Sequence, residues 1–161
     1  PQNNTKPLVE KIELCAPVSG TVKALSDVPD KTFAEKVLGD GAAIIPEEGK
    51  VYAPADGTVA NIMDSKHGIM FVTDSGAEVL IHIGLDTVNL KGKYFKSYVS
   101  DGDKVKKGTL LVEFDLEAIK GEGYNLITPM VVTNISDYIK AVCMEKENTA
   151  INAGDKFLTV V

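Results

Sequence analysis

The sequence predicts an all-β domain: an antiparallel β-sandwich or barrel-like fold with a duplicated motif and a few short helices. Three observations predict it. Short runs rich in Val, Ile and Thr follow one another between Gly, Pro and Asp punctuation. The phrase Ala16-Pro17-Val18-Ser19-Gly20-Thr21-Val22 returns as Ala53-Pro54-Ala55-Asp56-Gly57-Thr58-Val59. Helical spacing of apolar residues is confined to brief stretches that decorate a sheet and do not form one.

From the N-terminus, residues 1–11 are polar, with no apolar run of signal-peptide length, and read as a flexible segment ahead of one domain over 12–161. Strands are expected over Lys11–Ala16, Thr21–Leu25, Ala42–Ile45, Lys50–Ala53, Thr58–Met63, Gly68–Thr73, Glu78–Leu85 and Thr109–Phe114. Helices are expected over Phe33–Leu38, Leu116–Lys120 and Ser136–Val142, the last capped by Asn134 or Ser136. Each copy of the repeated phrase sets a proline turn ahead of a strand start. An acidic glycine turn also recurs, at Gly39-Asp40-Gly41, at Asp101-Gly102-Asp103 with Gly108 after it, and at Gly154-Asp155. No linker or low-complexity tract divides the chain, and 161 residues with 44% hydrophobic content suffice for one core.

Charge narrows the classes of partner. A net charge of -6 excludes a nucleic-acid partner, whose phosphates demand a basic face, and favours basic partners. All 17 basic residues are lysine, so any phosphate here is held without arginine's two-pronged clamp. Two scattered cysteines, Cys15 and Cys143, make no disulfide framework, which favours a reducing, cytoplasmic setting. No stretch approaches the roughly 20 apolar residues that span a bilayer, and no direct membrane insertion is expected.

The two histidines flank one predicted hairpin whose turn is Thr73-Asp74-Ser75-Gly76. If Asp74 and Ser75 form a two-residue loop, Thr73 pairs with Gly76 and His67 comes directly opposite His82. Opposed residues share a face with Cβ atoms about 4.5 to 5.5 Å apart, close enough for two imidazoles to hold one small anion. A three-residue loop with a glycine bulge at Gly76 would break that parity. Along the second strand Val79, Ile81, Ile83 and Leu85 share one face, while Glu78, Leu80, His82 and Gly84 share the other. His67 shares its parity with Ile69 and Phe71, which leaves open an apolar patch around the histidines or a strand buried on both sides. A lone strand histidine is usually an ordinary structural residue. Two histidines are too few for a typical zinc site, although a site completed by Asp86 stays open.

The stretch Gly76-Ala77-Glu78-Val79-Leu80-Ile81-His82-Ile83-Gly84-Leu85-Asp86-Thr87-Val88 resembles the active-site signature of the glucose-class IIA components of the bacterial phosphoenolpyruvate-dependent sugar phosphotransferase system. Further likenesses are Ala16-Pro17 with Gly20, Asp27-Val28-Pro29-Asp30, Phe33-Ala34-Glu35-Lys36 before Gly39-Asp40-Gly41, Lys91-Gly92, and Glu113-Phe114-Asp115-Leu116. From about Ile12 to Val160 the chain looks like one such domain, in a free-standing form. The resemblance implies an antiparallel β-sandwich and a phosphoryl relay without cofactor or resident metal. A histidine-containing phosphocarrier protein would phosphorylate His82, which would pass the group to a cysteine of the IIB domain of a glucose-class sugar permease. His67 would support the transferred group as an N–H donor or imidazolium. Ser65 stands where relatives often carry threonine, keeping a hydroxyl near that histidine. The Gly84 carbonyl would accept the proton-bearing nitrogen of His82. Asp86 would steer basic partners or cap a turn. Thr32, Phe33, Leu38, Met63 and Leu80 would form an apolar docking collar, or Phe33 and Leu38 would simply anchor a helix.

Competing classes fit less well. A zinc endopeptidase of related architecture needs a His-x-His pair, where this chain has Ile81-His82-Ile83. A biotin or lipoyl carrier needs a lysine on its hairpin tip, where this chain has Asp74-Ser75-Gly76. A non-enzymatic regulatory binding module, or a metal-binding β-domain using the His67/His82 pair, is the runner-up, and regulatory targets beyond the relay stay open.

Overall fold

The computed structural model describes residues 11–161. The expected flexible segment 1–11 therefore lies, except for Lys11, outside the described residues. The described chain folds as β1 (Ile12–Cys15), β2 (Gly20–Ala24), α1 (Lys31–Ala34), β3 (Asp40–Pro46), β4 (Lys50–Tyr52), β5 (Gly57–Ile62), β6 (Gly68–Thr73) and β7 (Glu78–His82). It continues as β8 (Phe95–Ser97), β9 (Lys104–Val105), β10 (Leu110–Phe114), α2 (Leu116–Gly121), β11 (Thr128–Val132), β12 (Ala141–Cys143), β13 (Ala150–Ile151) and β14 (Lys156–Val160).

Every strand pair is antiparallel. One large sheet has the order β13-β2-β3-β11-β7-β6-β5-β9, flanked by β1-β14-β12 and β4-β10-β8. The order reads alike from both ends, and the repeated phrase explains why. Cys15 N–H donates to the Pro54 carbonyl at 2.8 Å, and Tyr52 N–H returns the bond to Pro17 at 2.8 Å. Ala16 exchanges backbone bonds with Gly154 and Asp155, as Ala53 does with Gly108 and Thr109. The recurring proline turns and glycine turns are thus the matching corners of a duplicated motif folded against itself.

The sheet is buried on both faces where β7 and β11 pair. Ile69, Phe71, Val79, Ile81, Met130 and Phe157 enter the main core. Leu25, Val28, Phe33, Ala43, Leu80, Leu85, Ile127 and Val131 form a second, smaller cluster. Each large apolar side chain so buried contributes about 1.5–3 kcal/mol. Strand parity sets His82 on the same face as Leu80, at the edge of this smaller cluster.

Several expected elements change. The helix over Phe33–Leu38 shortens to α1, started by Asp30, whose carboxylate accepts the Thr32 N–H at 2.9 Å. Lys36, at φ 60°, leaves the helical path. The helix over Ser136–Val142 is replaced by a 3₁₀ turn at Ile135–Asp137, with Asn134 at its cap position, followed by β12. There Ile139 and Lys140 N–H groups donate to the Val161 carbonyl at 2.5 and 3.1 Å, so sheet pairing overrides helical spacing. The expected Leu116–Lys120 helix is α2, with Asp115 accepting the Ala118 N–H at 3.1 Å. The strand expected to run to Leu85 stops at His82. Strands β8, β9, β11, β12, β13 and β14 lie outside the eight expected; in β11, central to the sheet, Pro129 stands where a proline reads as a breaker.

Candidate active site

The β6–β7 hairpin sets the position of both histidines. Its loop has three residues: Thr73 N–H donates to Ala77 at 2.9 Å, Gly76 N–H donates to Thr73 at 3.0 Å, and Gly76 takes φ 103°. The Thr73 hydroxyl accepts the Ala77 N–H at 2.9 Å and locks this turn. The ladder consequently pairs His82 with Gly68, and the directly opposed His67/His82 pair is corrected by one residue.

His67 reaches His82 nevertheless. It lies just before β6, after Lys66 at φ 61°, and is free of the strand's alternation. Its carbonyl accepts the Ile83 N–H at 2.6 Å. The two imidazoles stand at 81° with centroids 4.9 Å apart, and the Phe33 ring lies 5.3 Å from that of His82. Gly68 and Pro129 flank the His82 backbone. Gly68 is on one side, where a side chain would run into the Met63 thioether. Pro129 stands opposite His82 on the other side, where the ladder to β11 stops.

A single hydrogen bond decides the tautomer. His82 Nδ1 lies 2.6 Å from the Gly84 carbonyl, which can only accept, so Nδ1 carries the proton and Nε2 keeps its lone pair. Gly84 can present that carbonyl because it takes φ 73°, with Thr87 and Asn125 packed closely behind it. Burial pushes the His82 pKa down from 6.5, opposed by the Gly84 hydrogen bond and by Asp30 and Asp86. Burial first, then neighbouring His82, lowers His67 to about 4. Both rings are therefore neutral near pH 7, and of the two forms expected for His67 this favours the neutral N–H donor over the imidazolium. His67 is 4% exposed, and its Nδ1 is buried without a hydrogen-bond partner.

The other expected residues divide. Asp86 is exposed, takes φ 60° ahead of the 3₁₀ turn Thr87–Leu90 and makes no side-chain cap, and its charge acts on the His82 ring. Ser65 is half-buried, and among the described residues its hydroxyl bonds to neither histidine. Phe33 and Leu80 are buried in the smaller cluster, Phe33 beside the His82 ring, so Phe33 follows the anchoring alternative and Leu80 moves from collar to core. Thr32 and Leu38 are exposed, while Met63 is half-buried against the smaller cluster. Asp30, Thr87, Asn125 and Pro129 belong to the site and were not singled out. Asp30 carried a signal, as the acid in a cap position before a helix, and Thr87 lies in the same signature stretch as His82; Asn125 and Pro129 are joined to His82 only by the fold.

Among the described residues no group of three His, Cys, Asp or Glu side chains is arranged to hold a metal ion. No described helix is long and apolar enough to cross a membrane. Cys15 and Cys143 are free thiols. A cavity of about 720 Å³ opens elsewhere, by Glu13, Asp56, Asp74 and Asp155, at the turn end of the hairpin remote from the histidines.

Residues 12–138 match the family of the phosphoenolpyruvate-dependent sugar phosphotransferase system, EIIA 1. The chain is 46% identical over 146 residues to the PTS system glucose-specific EIIA component of Halalkalibacterium halodurans, covering 91% of this chain and 83% of that protein. It is 53% identical over 123 residues to the PTS system beta-glucoside-specific EIIBCA component of Bacillus subtilis, covering 76% of this chain and 20% of that protein. The chain thus spans about a fifth of the length of that longer relative. Among solved structures it is similar to the glucose permease IIA from Mycoplasma capricolum, with a TM-score of 0.83 and 32% identity over 93% of this chain and 96% of that one.

Proposed function

Because the chain belongs to the EIIA 1 family of the phosphoenolpyruvate-dependent sugar phosphotransferase system, we propose that it is a cytoplasmic phosphoryl carrier whose nucleophile is Nε2 of His82. The observation that carries this reading is the bond from His82 Nδ1 to the Gly84 carbonyl, which leaves Nε2 unprotonated in a neutral ring.

The transfer balances without a cofactor. The Nε2 lone pair attacks the phosphorus of a phosphohistidine on the histidine-containing phosphocarrier protein. A new P–N bond forms as the donor's P–N bond breaks and its electron pair returns to the donor ring. The proton stays on His82 Nδ1, donated to the Gly84 carbonyl, throughout, so no proton has to leave the site. In the second transfer a cysteine thiolate of a IIB domain attacks the same phosphorus, and the electron pair returns to Nε2. His67, whose ring centroid lies 4.9 Å from that of His82, supports the phosphoryl group. As a neutral imidazole it has one N–H to donate to a phosphoryl oxygen. With no arginine in this chain, the remaining charge is offset by the donor's own cations. Asp30 and Asp86 beside the ring suit a donor whose contact surface is basic.

The test is phosphoryl transfer from labelled phosphoenolpyruvate through enzyme I and the phosphocarrier protein to wild type, His82→Ala and His67→Ala, followed by a IIB domain. The reading requires an acid-labile label on wild type, none on His82→Ala, and a labelled His67→Ala that passes the group on poorly. A folded wild type that takes no label contradicts it.

A further inference from the structure

Thr87 is fully buried, and its contacts are unused in the transfer steps above. Its hydroxyl donates to the Ile83 carbonyl at 2.5 Å. Its methyl carbon lies 2.8 Å from where a Cβ on Gly84 would stand, so it closes the space behind that glycine. The same short segment is gripped from two other directions. Ile83 N–H donates to the His67 carbonyl at 2.6 Å, and Leu85 N–H donates to the Asn125 carbonyl at 2.9 Å. Asn125 is itself fixed by its side-chain oxygen, which accepts the Ile127 N–H at 2.9 Å.

These bonds converge on one peptide unit. The Gly84–Leu85 amide has its carbonyl on His82 Nδ1 and its N–H on Asn125. Each bond polarises the other, which makes that carbonyl a stronger acceptor than an isolated one. Its direction depends on the preceding peptide, Ile83–Gly84, whose carbonyl is the one Thr87 holds.

We propose that Thr87 is a positioning residue for His82: its hydroxyl and methyl fix the Ile83–Gly84 turn, so that the Gly84 carbonyl holds the ring proton on Nδ1 and frees Nε2. Its consequence for transfer rests on His82 being the phosphoryl acceptor, but the tautomer itself belongs to the unphosphorylated protein. Without the hydroxyl, the buried Ile83 carbonyl loses its partner and recovers one only by rotating its peptide. That rotation swings the Gly84 carbonyl away from the ring. The ring then relaxes toward the Nε2–H tautomer favoured by free histidine, in which the attacking nitrogen is protonated.

The experiment is ¹⁵N NMR of the imidazole nitrogens in unphosphorylated wild type, Thr87→Val and Thr87→Ser, alongside phosphoryl transfer from the phosphorylated donor. Val keeps the methyl shape and removes the hydroxyl; Ser keeps the hydroxyl. Wild type and Thr87→Ser should show the Nδ1–H form of His82. Thr87→Val should show a mixture, and should accept the phosphoryl group about tenfold more slowly with the donor KM unchanged, the size of one net hydrogen bond. A folded Thr87→Val with a wild-type tautomer overturns the proposal. If that variant does not fold, the wild-type hydroxyl proton decides: a slowly exchanging resonance coupled to the Ile83 carbonyl carbon supports it, and rapid exchange with water overturns it. A tautomer switch in a protein that never accepts phosphate would retain this role for Thr87 and reject the carrier reading.

Discussion

His67 and His82 face each other at 81° with ring centroids 4.9 Å apart, and Nδ1 of His67 is buried there without a hydrogen-bond partner. An unpartnered buried nitrogen costs about 1–3 kcal/mol, so the fold maintains it against its own stability.

Acid should expose the cost of burying His67. Its folded pKa of about 4 lies below the ordinary 6.5, so between those values the unfolded chain binds more protons and stability rises with pH. Acidification from 6.5 toward 4 therefore removes stability, at up to about 1.4 kcal/mol per pH unit. Urea unfolding of wild type and His67→Gln at several pH values isolates this contribution from that of the carboxylates. Wild type should lose more stability than the variant on acidification; parallel curves would refute the neutral, desolvated His67.

Gly84→Ala tests the carbonyl that orients the nucleophile. Its φ of 73° disfavours any side chain, and the added Cβ would come within 2.8 Å of the Thr87 methyl and 3.0 Å of the Asn125 carbonyl oxygen. Thermal unfolding should show a loss of about 1–3 kcal/mol. Phosphoryl acceptance should fall further than the folded fraction accounts for, because the turn that aims the carbonyl is displaced. Unchanged stability and transfer would separate the turn from the chemistry.

Phe33 and Leu38 should behave as opposites. Phe33 is 3% exposed against the His82 ring, and Phe33→Ala should cost about 3–5 kcal/mol as a cavity opens under the site. Leu38 is 40% exposed, and Leu38→Ala should change stability by no more than about 0.5 kcal/mol while raising the donor KM. Equal stability losses in urea unfolding, or an unaltered KM for Leu38→Ala, would contradict the division between pocket wall and docking surface.

The contrast between β7 and β11 shows which parts of the fold are legible in the sequence. Glu78 to His82 has strand composition and alternates between two cores, and it is bounded by the glycine turns at Gly76 and Gly84. Its neighbour Thr128–Val132 is as deeply buried, yet Pro129 reads as a breaker. The proline is tolerated because it stands opposite His82, beyond the last bonded pair of the β7–β11 ladder, Ile81 and Met130. The proline turns of the repeated phrase were legible because chemistry at fixed offsets marks them, and their reciprocal bonds needed only folding to appear.

At the site, the hairpin was legible but its register was not. Whether Gly76 enters the loop or the ladder depends on the Thr73 hydroxyl bonding the Ala77 N–H, a local contact absent from any pattern of hydrophobicity. The three-residue loop, the alternative left open at Gly76, did not separate the histidines, because His67 sits outside the strand and follows the turn at Lys66. Asn125 lies far along the chain from His82 and meets it only through the Gly84–Leu85 peptide, so no local spacing could have announced it.

The central claim is that Gly84 leaves Nε2 of His82 as the attacking atom. The most direct measurement is ¹⁵N and ³¹P NMR of the protein phosphorylated through its donor, with His67 and His82 distinguished by the His67→Gln variant. The account predicts a phosphoramidate on Nε2 of His82, with the Nδ1 proton still bonded to the Gly84 carbonyl. Phosphate on Nδ1 of His82, or on His67, would contradict it.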